Sequence, residues 1–301
     1  MQQGRTGRLN PAVARARRAV QRTVDAALGP DVGNGTAPPL VLVGCSGGAD
    51  SLALAAATAH LLRRGRLRVG AVVVDHQLQE GSAEVASRTA ATLRGMGLDP
   101  VHVERVHVTR TGTGPEMAAR LARYEAFRVV AQRSGAAAVL LGHTRDDQSE
   151  TVLLGLTRGS GTRSLSGMPE SLVKDGVCYL RPLLNITRAE TETVCAAEGL
   201  QPWHDPSNAD TALTRSRIRH EVLPFLESQL GPGVARALAR TASVLGADAD
   251  YLEEQAAAAY DDAAVPTRSQ DPRAASSVML DGAGLQQMPA ALRRRVLARA
   301  C

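Results

Sequence analysis

The 301-residue chain is expected to form a doubly wound, mostly parallel α/β sheet followed by a smaller all-helical domain. Three observations lead there. Short apolar runs rich in Val and Leu alternate with longer helical patterns through the first half. Polar motifs follow three of those runs directly, and strand-like runs stop near residue 213.

The elements follow in order. Pro11 to about Leu28 is a basic helical pattern, and "GPDVGNGTAPP" after it is a linker, so 1–37 is an N-terminal segment. Strand-like runs come next at Leu40–Cys45, Val69–Asp75, Val101–Val108 and Ala137–Gly142. Helical patterns fill the gaps at Ser51–Arg64, Ser82–Gly97 and Pro115–Ser134. A β-α-β-α rhythm of this kind closes into a parallel sheet through right-handed crossovers. Ligands of such sheets sit at the carboxyl ends of the strands. "SGGADS" after the first run, "DHQ" after the second and "GHTRDD" after the fourth should therefore meet at one site in a domain spanning 38–212. From 213 to 301, "LTRSRIRHEVLPFLESQL", "GVARALARTASVLGADADYLEEQAAAAY" and "PAALRRRVLARA" are helical patterns. The last has no stop signal before Cys301, as expected of a chain cut inside a helix.

Composition narrows the class. Apolar residues make up 44% and aromatics only 2%, so the core must be built from Ala, Leu and Val. The net charge of +5 is unevenly placed, with six arginines and no acid in the first 24 residues. Residues 210–301 hold eleven basic and eleven acidic side chains. Lys174 is the single lysine among 35 basic residues. Arginine suits bidentate phosphate contacts, but a genomic bias toward arginine and alanine explains the same count, so local clusters must carry any nucleic-acid argument. The four cysteines form no C-x-x-C pair, which speaks against zinc, iron–sulfur and thioredoxin-like chemistry. No run has the length of a membrane span and no signal-peptide h-region opens the chain; a soluble cytoplasmic protein is expected.

"VLVGCSGGADSLAL" (Val41–Leu54) joins an apolar run to a helical one through a glycine-rich turn. Such a turn can present backbone N–H groups and a helix N-terminus to phosphate, although the Walker lysine is absent. Asp50 beside a phosphate cradle would repel the ligand without a cation, which points to magnesium. A plain turn in which Ser46 or Asp50 caps a helix explains the same residues. In "LLGHTRDDQSETVLLGL", the spacing of His143, Asp146, Asp147 and Glu150 puts an imidazole and carboxylates along one side of a helix start. That exceeds what capping requires. "RGSGTRSLSGMP" (Arg158–Pro169) is long and basic enough for a lid or substrate loop, or for a solvated linker. Arg215, Arg217 and Arg219 alternate at a helix start, toward phosphate or toward solvent.

"SGGADS" resembles the PP-loop, S-G-G-x-D-S, of the N-type ATP pyrophosphatases, whose fold is adenine nucleotide α-hydrolase-like and which cleave ATP between the α and β phosphates. "VDHQL", "RLARYEAF", "LGHTRDDQSETVLLGLTRGSG", "LSGM", "RPLL", "DPSN" and "RSRIRHEVLP" then occur in the order found in the tRNA(Ile)-lysidine synthetase family, from about Val41 to Pro224. The resemblance implies that ATP adenylates C2 of the wobble cytidine in CAU-anticodon tRNA(Ile). Free L-lysine then displaces AMP to form lysidine. It implies ATP contacts at Ser46, Gly47, Gly48, Ala49, Asp50, Ser51, Asp75 and His143. Asp50, His143, Asp147 and Glu150 become the candidate catalytic residues, with Mg2+ on Asp50 and Asp147. For tRNA or lysine it offers Arg120, Arg123, Arg158, Arg163, Arg181, Arg215, Arg217 and Arg219. Gln79 and Ser216 depart from the usual Arg and Asn of that pattern. Longer members add a C-terminal domain that grips the acceptor arm, and this chain ends before such a segment. A tRNA thiolase of the same group is the nearest rival but generally needs a catalytic cysteine pair. A non-enzymatic nucleotide- or tRNA-binding module is the rival from another class; it would not need Asp50 or the carboxylates after His143.

Overall fold

The computed structural model describes residues 9–29, 37–77, 79, 81–107, 115–159, 161–265 and 278–300. Most of the expected linker, the end of the third strand-like run at Val108, Leu78 of "VDHQL" and Ser160 of the basic loop lie outside them.

α1 (Pro11–Leu28) opens with Asn10, whose side chain accepts from the Ala12 amide at 2.9 Å, and with proline in its first turn. Val13, Ala16, Val20 and Val24 recur at helical spacing and are buried against α2 (Ala49–Arg63) and α7 (Arg188–Glu198). Arg17 pairs with Glu198 at 3.1 Å and Arg66 with Asp25 at 2.8 Å on the flanks of this packing. Both pairs are largely covered, and they fix the orientation of the helix against its neighbours.

β1 (Leu40–Gly44), β2 (Arg68–Asp75), β3 (Val101–Arg105) and β4 (Ala138–Leu141) pair in parallel in the order β3-β2-β1-β4. α3 (Ser82–Gly95) and α4 (Pro115–Ser134) complete the crossovers. β1 is buried along its whole length, which is why it has no polar alternation. The strand order reverses between β1 and β4, so a crevice opens beyond their carboxyl ends. The sheet continues through β6 (Val177–Leu180), parallel to β4, to β5 (Ser171–Lys174), antiparallel at the edge. This hairpin turns on Asp175 and Gly176, both at positive φ (50° and 75°).

By its internal contacts the chain divides into two units: 1–151 with 168–239, and 152–167 with 240–301. The division falls elsewhere than residue 213. Residues 213–239 stay with the sheet, where Arg215 donates to Thr151 Oγ1 at 3.0 Å and Arg219 to Glu150 Oε1 at 2.7 Å. That stretch contains α8 (Thr214–Arg217), a π-helical turn (Ile218–Val222) and α9 (Leu223–Leu230). α5 (Arg145–Thr157) starts directly after β4. The second unit holds α6 (Thr162–Leu165), most of α10 (Val234–Ala263), α11 (Gly282–Gln287) and α12 (Ala290–Ala300). Arg295 ties its parts together by reaching Glu253 at 3.3 Å and Thr162 Oγ1 at 3.1 Å. A short antiparallel pair, β7 (Ala264–Val265) with β8 (Met279–Leu280), interrupts a region expected to be wholly helical. Two residues per strand leave no periodicity to read. Among the described residues no helix is long and apolar enough to cross a membrane.

Candidate active site

A cleft of about 670 Å3 lies within the first unit, beyond the carboxyl ends of β1, β2 and β4. Its size is that of an ordinary small-molecule site. Its floor is the turn from β1 into α2. The Cys45 amide still donates to Val72 O at 2.9 Å, as if the strand continued, and the chain then turns sharply at Gly47 (φ +85°). A side chain there would meet Thr89 Oγ1 at 2.5 Å, so both backbone conformation and space require glycine. Ser51 ties the turn together: its Oγ accepts from the Ser46 amide at 3.2 Å and donates to Gly48 O at 2.9 Å. No side chain caps α2 at Gly48, which leaves its first amides facing the cleft. At Gly142 an added Cβ would lie 3.1 Å from the Asp50 backbone, so the end of β4 comes close against the start of α2.

Charged side chains from four elements meet on one wall. Asp50, in the first turn of α2, accepts from Thr191 Oγ1 and from Arg188 Nε at 3.3 Å. Asp147, near the start of α5, accepts from the Thr144 amide at 2.8 Å and from Thr144 Oγ1 at 2.9 Å. Its other oxygen takes Arg219 Nη2 at 3.3 Å and Arg188 Nη2 at 3.5 Å. Glu150, 0% exposed, is held bidentate by Arg219 at 2.7 and 3.1 Å. Capping thus accounts for one oxygen of Asp147, and the arginines for the other.

Burial drives the titration of this wall. It pushes the Asp50 carboxyl up, with Arg188 and Thr191 opposing and Asp147 adding to the rise. Burial likewise raises Glu150 against the pull of Arg219. At Asp147 burial also pushes upward, but the Thr144 amide, Arg188, His143 and Arg219 together outweigh it and hold the carboxyl low. His143 is driven down to about 3, chiefly by burial and further by nearby arginines, so it is neutral at pH 7. Its Nδ1 is buried with no partner among the described residues. His76 follows to about 4, again by burial first and then by Arg123, whose Nε approaches its Nε2 at 3.3 Å.

Another part of the lining comes from Trp203, His204 and Asp205, to which the sequence reading assigned no site role although "DPSN" begins at Asp205. The Trp203 amide donates to Gly47 O at 2.9 Å and seats Trp203, His204 and Asp205 over the phosphate turn. Gln79, in place of the usual family Arg, donates to Asp205 Oδ1 at 2.8 Å. Ser216, in place of Asn, donates to Asn208 O at 2.7 Å.

Of the residues singled out from sequence, Ser46, Gly48, Ala49, Asp50, Ser51 and Asp75 line the cleft. So do His143, Asp147, Arg120, Arg123 and Arg219, while Glu150 lies behind Arg219. Arg181 is not part of the lining but stands behind it: it is 2% exposed and donates to Pro169 O at 2.8 Å and to Oη of the lining residue Tyr124 at 3.2 Å. Arg215, Arg217 and Arg219 do not act as one row. At about 100° per residue, positions two apart fall on opposite sides of a helix and positions four apart on the same side. Arg217 accordingly turns to Thr211 O at 3.4 Å, away from the other two. Arg158 and Arg163 belong to the second unit, where Arg163 pairs with Asp250. Arg188 was missed. The signal for its helix was present, since Thr187 and Glu190 have capping-box spacing.

The fold and this phosphate turn define a PP-loop protein: a PP-loop domain model matches residues 17–226. The tRNA(Ile)-lysidine synthase of Thermobifida fusca is 52% identical over 96% of this chain and 82% of its own length. That of Streptomyces coelicolor is 52% identical over 87% of this chain and 71% of its own. The chain belongs to the tRNA(Ile)-lysidine synthase family and is an ATP-using enzyme. Among solved structures, the U34-tRNA thiolase NcsA of Methanococcus maripaludis, which carries a [4Fe-4S] cluster, has the same fold. The TM-score is 0.60 at 19% identity, covering 76% of this chain and 79% of that one.

Proposed function

We propose that the cleft binds ATP with its triphosphate at the α2 N-terminus and ligates free L-lysine to C2 of the wobble cytidine in CAU-anticodon tRNA(Ile). In the first step cytidine O2 bonds to the α-phosphorus and pyrophosphate leaves. In the second, lysine Nε, having lost a proton, attacks C2 and the C2–O bond breaks to release AMP. The observation that supports this best is the uncapped α2 start, with Asp50 at its mouth, facing Asp147 across Arg188 inside one cleft.

Asp50 and Asp147 offer hard carboxylate oxygens beside a phosphate-sized turn, a donor set that fits Mg2+ completed by nucleotide oxygens. Among the described residues no cluster of three or more His, Cys, Asp or Glu stands ready for a metal, so the nucleotide would supply the rest. When bound, the ion would offset charge on the phosphates. Asp147, which stays ionised and reaches the cleft, is the group we assign to the incoming lysine ammonium. Glu150, buried and closed on Arg219, holds that guanidinium in place behind it rather than meeting the substrate. His143, neutral and with a buried Nδ1 that has no partner among the described residues, can exchange a hydrogen bond with a ligand there, while its low pKa makes it a poor proton acceptor. Arg120 and Arg123 stand on the cleft wall where a splayed anticodon base and its phosphates would enter. A cytoplasmic location belongs to the same proposal, since that is where its tRNA substrate is.

The test combines the purified chain, ATP, labelled lysine and tRNA transcripts, following pyrophosphate and label together. CAU transcripts should release pyrophosphate and take up lysine, a wobble-uridine transcript should be inert, and an ATP analogue uncleavable between its α and β phosphates should stop incorporation. Folded protein that binds CAU transcripts yet does neither would sink the proposal.

A further inference from the structure

Arg188 has no part in the scheme above, yet it occupies the centre of the charged wall. Its guanidinium lies between two carboxylates from different helices, 3.3 Å from Asp50 Oδ2 and 3.5 Å from Asp147 Oδ1. Both distances are long for a charge-assisted hydrogen bond, whereas Arg219 grips Glu150 at 2.7 and 3.1 Å. Arg188 thus spans two anions without closing on either.

Three further features set this residue apart. Its backbone amide is fixed on Asp146 Oδ2 at 2.9 Å and its helix start is closed by the Thr187–Glu190 capping box, so the side chain can swing without moving α7. Thr191 Oγ1 holds the other oxygen of Asp50, which stays oriented if the guanidinium leaves. Finally, a cation as the first residue of a helix opposes the macrodipole, a local cost that the two carboxylates offset.

We propose that Arg188 is a positioning residue that stands in for the divalent cation, holding the Asp50 and Asp147 carboxylates together in the nucleotide-free protein and competing with the metal for them. This rests on the reading that those two carboxylates receive Mg2+. The guanidinium keeps two nearby like charges from repelling one another, and it leaves the pair when a metal nucleotide supplies the positive charge instead.

The test uses Mn2+ alone, with no nucleotide or tRNA, titrated into the full chain and followed by electron paramagnetic resonance. Arg188→Gln should bind Mn2+ tighter than wild type by about tenfold or more, the scale on which neighbouring groups tune metal affinity. The gain should vanish in Asp50→Asn/Arg188→Gln. The melting temperature of Arg188→Gln should fall without metal and recover as Mn2+ is added. Arg188→Lys, a point charge that cannot span both carboxylates, should show intermediate affinity and serves if the glutamine variant does not fold. Mn2+ affinity equal to wild type in these variants, or a gain that survives Asp50→Asn, overturns the proposal. A wild-type chain that releases no pyrophosphate with tRNA and lysine would sink the lysidine reading and leave the Mn2+ result standing.

Discussion

Two helices begin beside the same cleft, and they begin in opposite ways. α7 starts at Thr187, whose hydroxyl accepts from the Glu190 amide at 3.2 Å while the Glu190 carboxylate accepts from the Thr187 amide at 2.9 Å. Its exposed donors are answered from within the chain. α2 starts at Gly48 with no side-chain cap, and the polar group in its first turn, Asp50, faces sideways to Arg188 and Thr191. The closed start is structural and can carry an arginine as its first residue. The open start keeps amides for a ligand. The same four orphan donors serve stability in one helix and phosphate in the other, according to whether the sequence provides an internal acceptor.

The sharpest way to break this contrast is at Asp50. Asp50→Ala should cut pyrophosphate release by roughly a hundredfold or more, the scale of losing a charge-stabilising group, while tRNA binding persists. Unchanged turnover would reduce Asp50 to an ordinary first-turn acid. Gly47→Ala should come next. A side chain at φ +85° that also meets Thr89 Oγ1 adds strain of about 1–3 kcal/mol, so nucleotide affinity measured by calorimetry should drop about tenfold or more. Thr89→Ala should restore part of that loss by removing the collision but not the φ strain.

On the closed start the effects should fall on stability. Thr187→Ala should lower unfolding free energy by about 1 kcal/mol in urea titrations, with nucleotide affinity little changed. Its partner adds a pH test. Burial acts to raise Glu190, but the Thr187 amide and hydroxyl, with Arg15, outweigh it and hold the carboxyl below its ordinary 4.5. Its contribution is therefore present above that value and disappears as pH falls through the lower folded one. Glu190→Gln should flatten this acid limb of the stability curve; an unchanged limb would mean the box carries no charge-dependent stability. The smallest effect belongs to sulfur. Burial raises the Cys45 thiol and its Sγ lies 3.4 Å from Ser51 Oγ, so Cys45→Ala should keep most activity, as should Cys178→Ala. Loss of turnover in a folded variant would reopen the thiolase alternative.

Much of the fold was legible because its signals are local. The apolar run at Leu40 ends in β1 at Gly44, and the pattern Pro115–Ser134 is α4 itself. The edge hairpin was passed over although "KDGV" carries the Asp-Gly turn, because strands of four residues have too little periodicity to stand out. α7 was passed over for a similar reason: eleven residues with small side chains make a weak apolar stripe, and the capping box was the better signal. Arg181 offered no warning at all. Nothing in "RPLL" tells a buried guanidinium, held by a carbonyl and a phenol, from one that reaches a ligand.

The sequence by itself determined the class of sheet, the family and the positions of the phosphate turn and the helix start behind His143. Each of these is written in contiguous residues whose backbone geometry follows from local sterics and hydrogen bonding. Only the tertiary structure decided which charges face one another. Arg188 lies 138 residues from Asp50 and 41 from Asp147, yet the packing of α7 against α2 brings its side chain between them. Electrostatic pairing is a matter of distance in space and of burial, and neither is written in residues taken a few at a time.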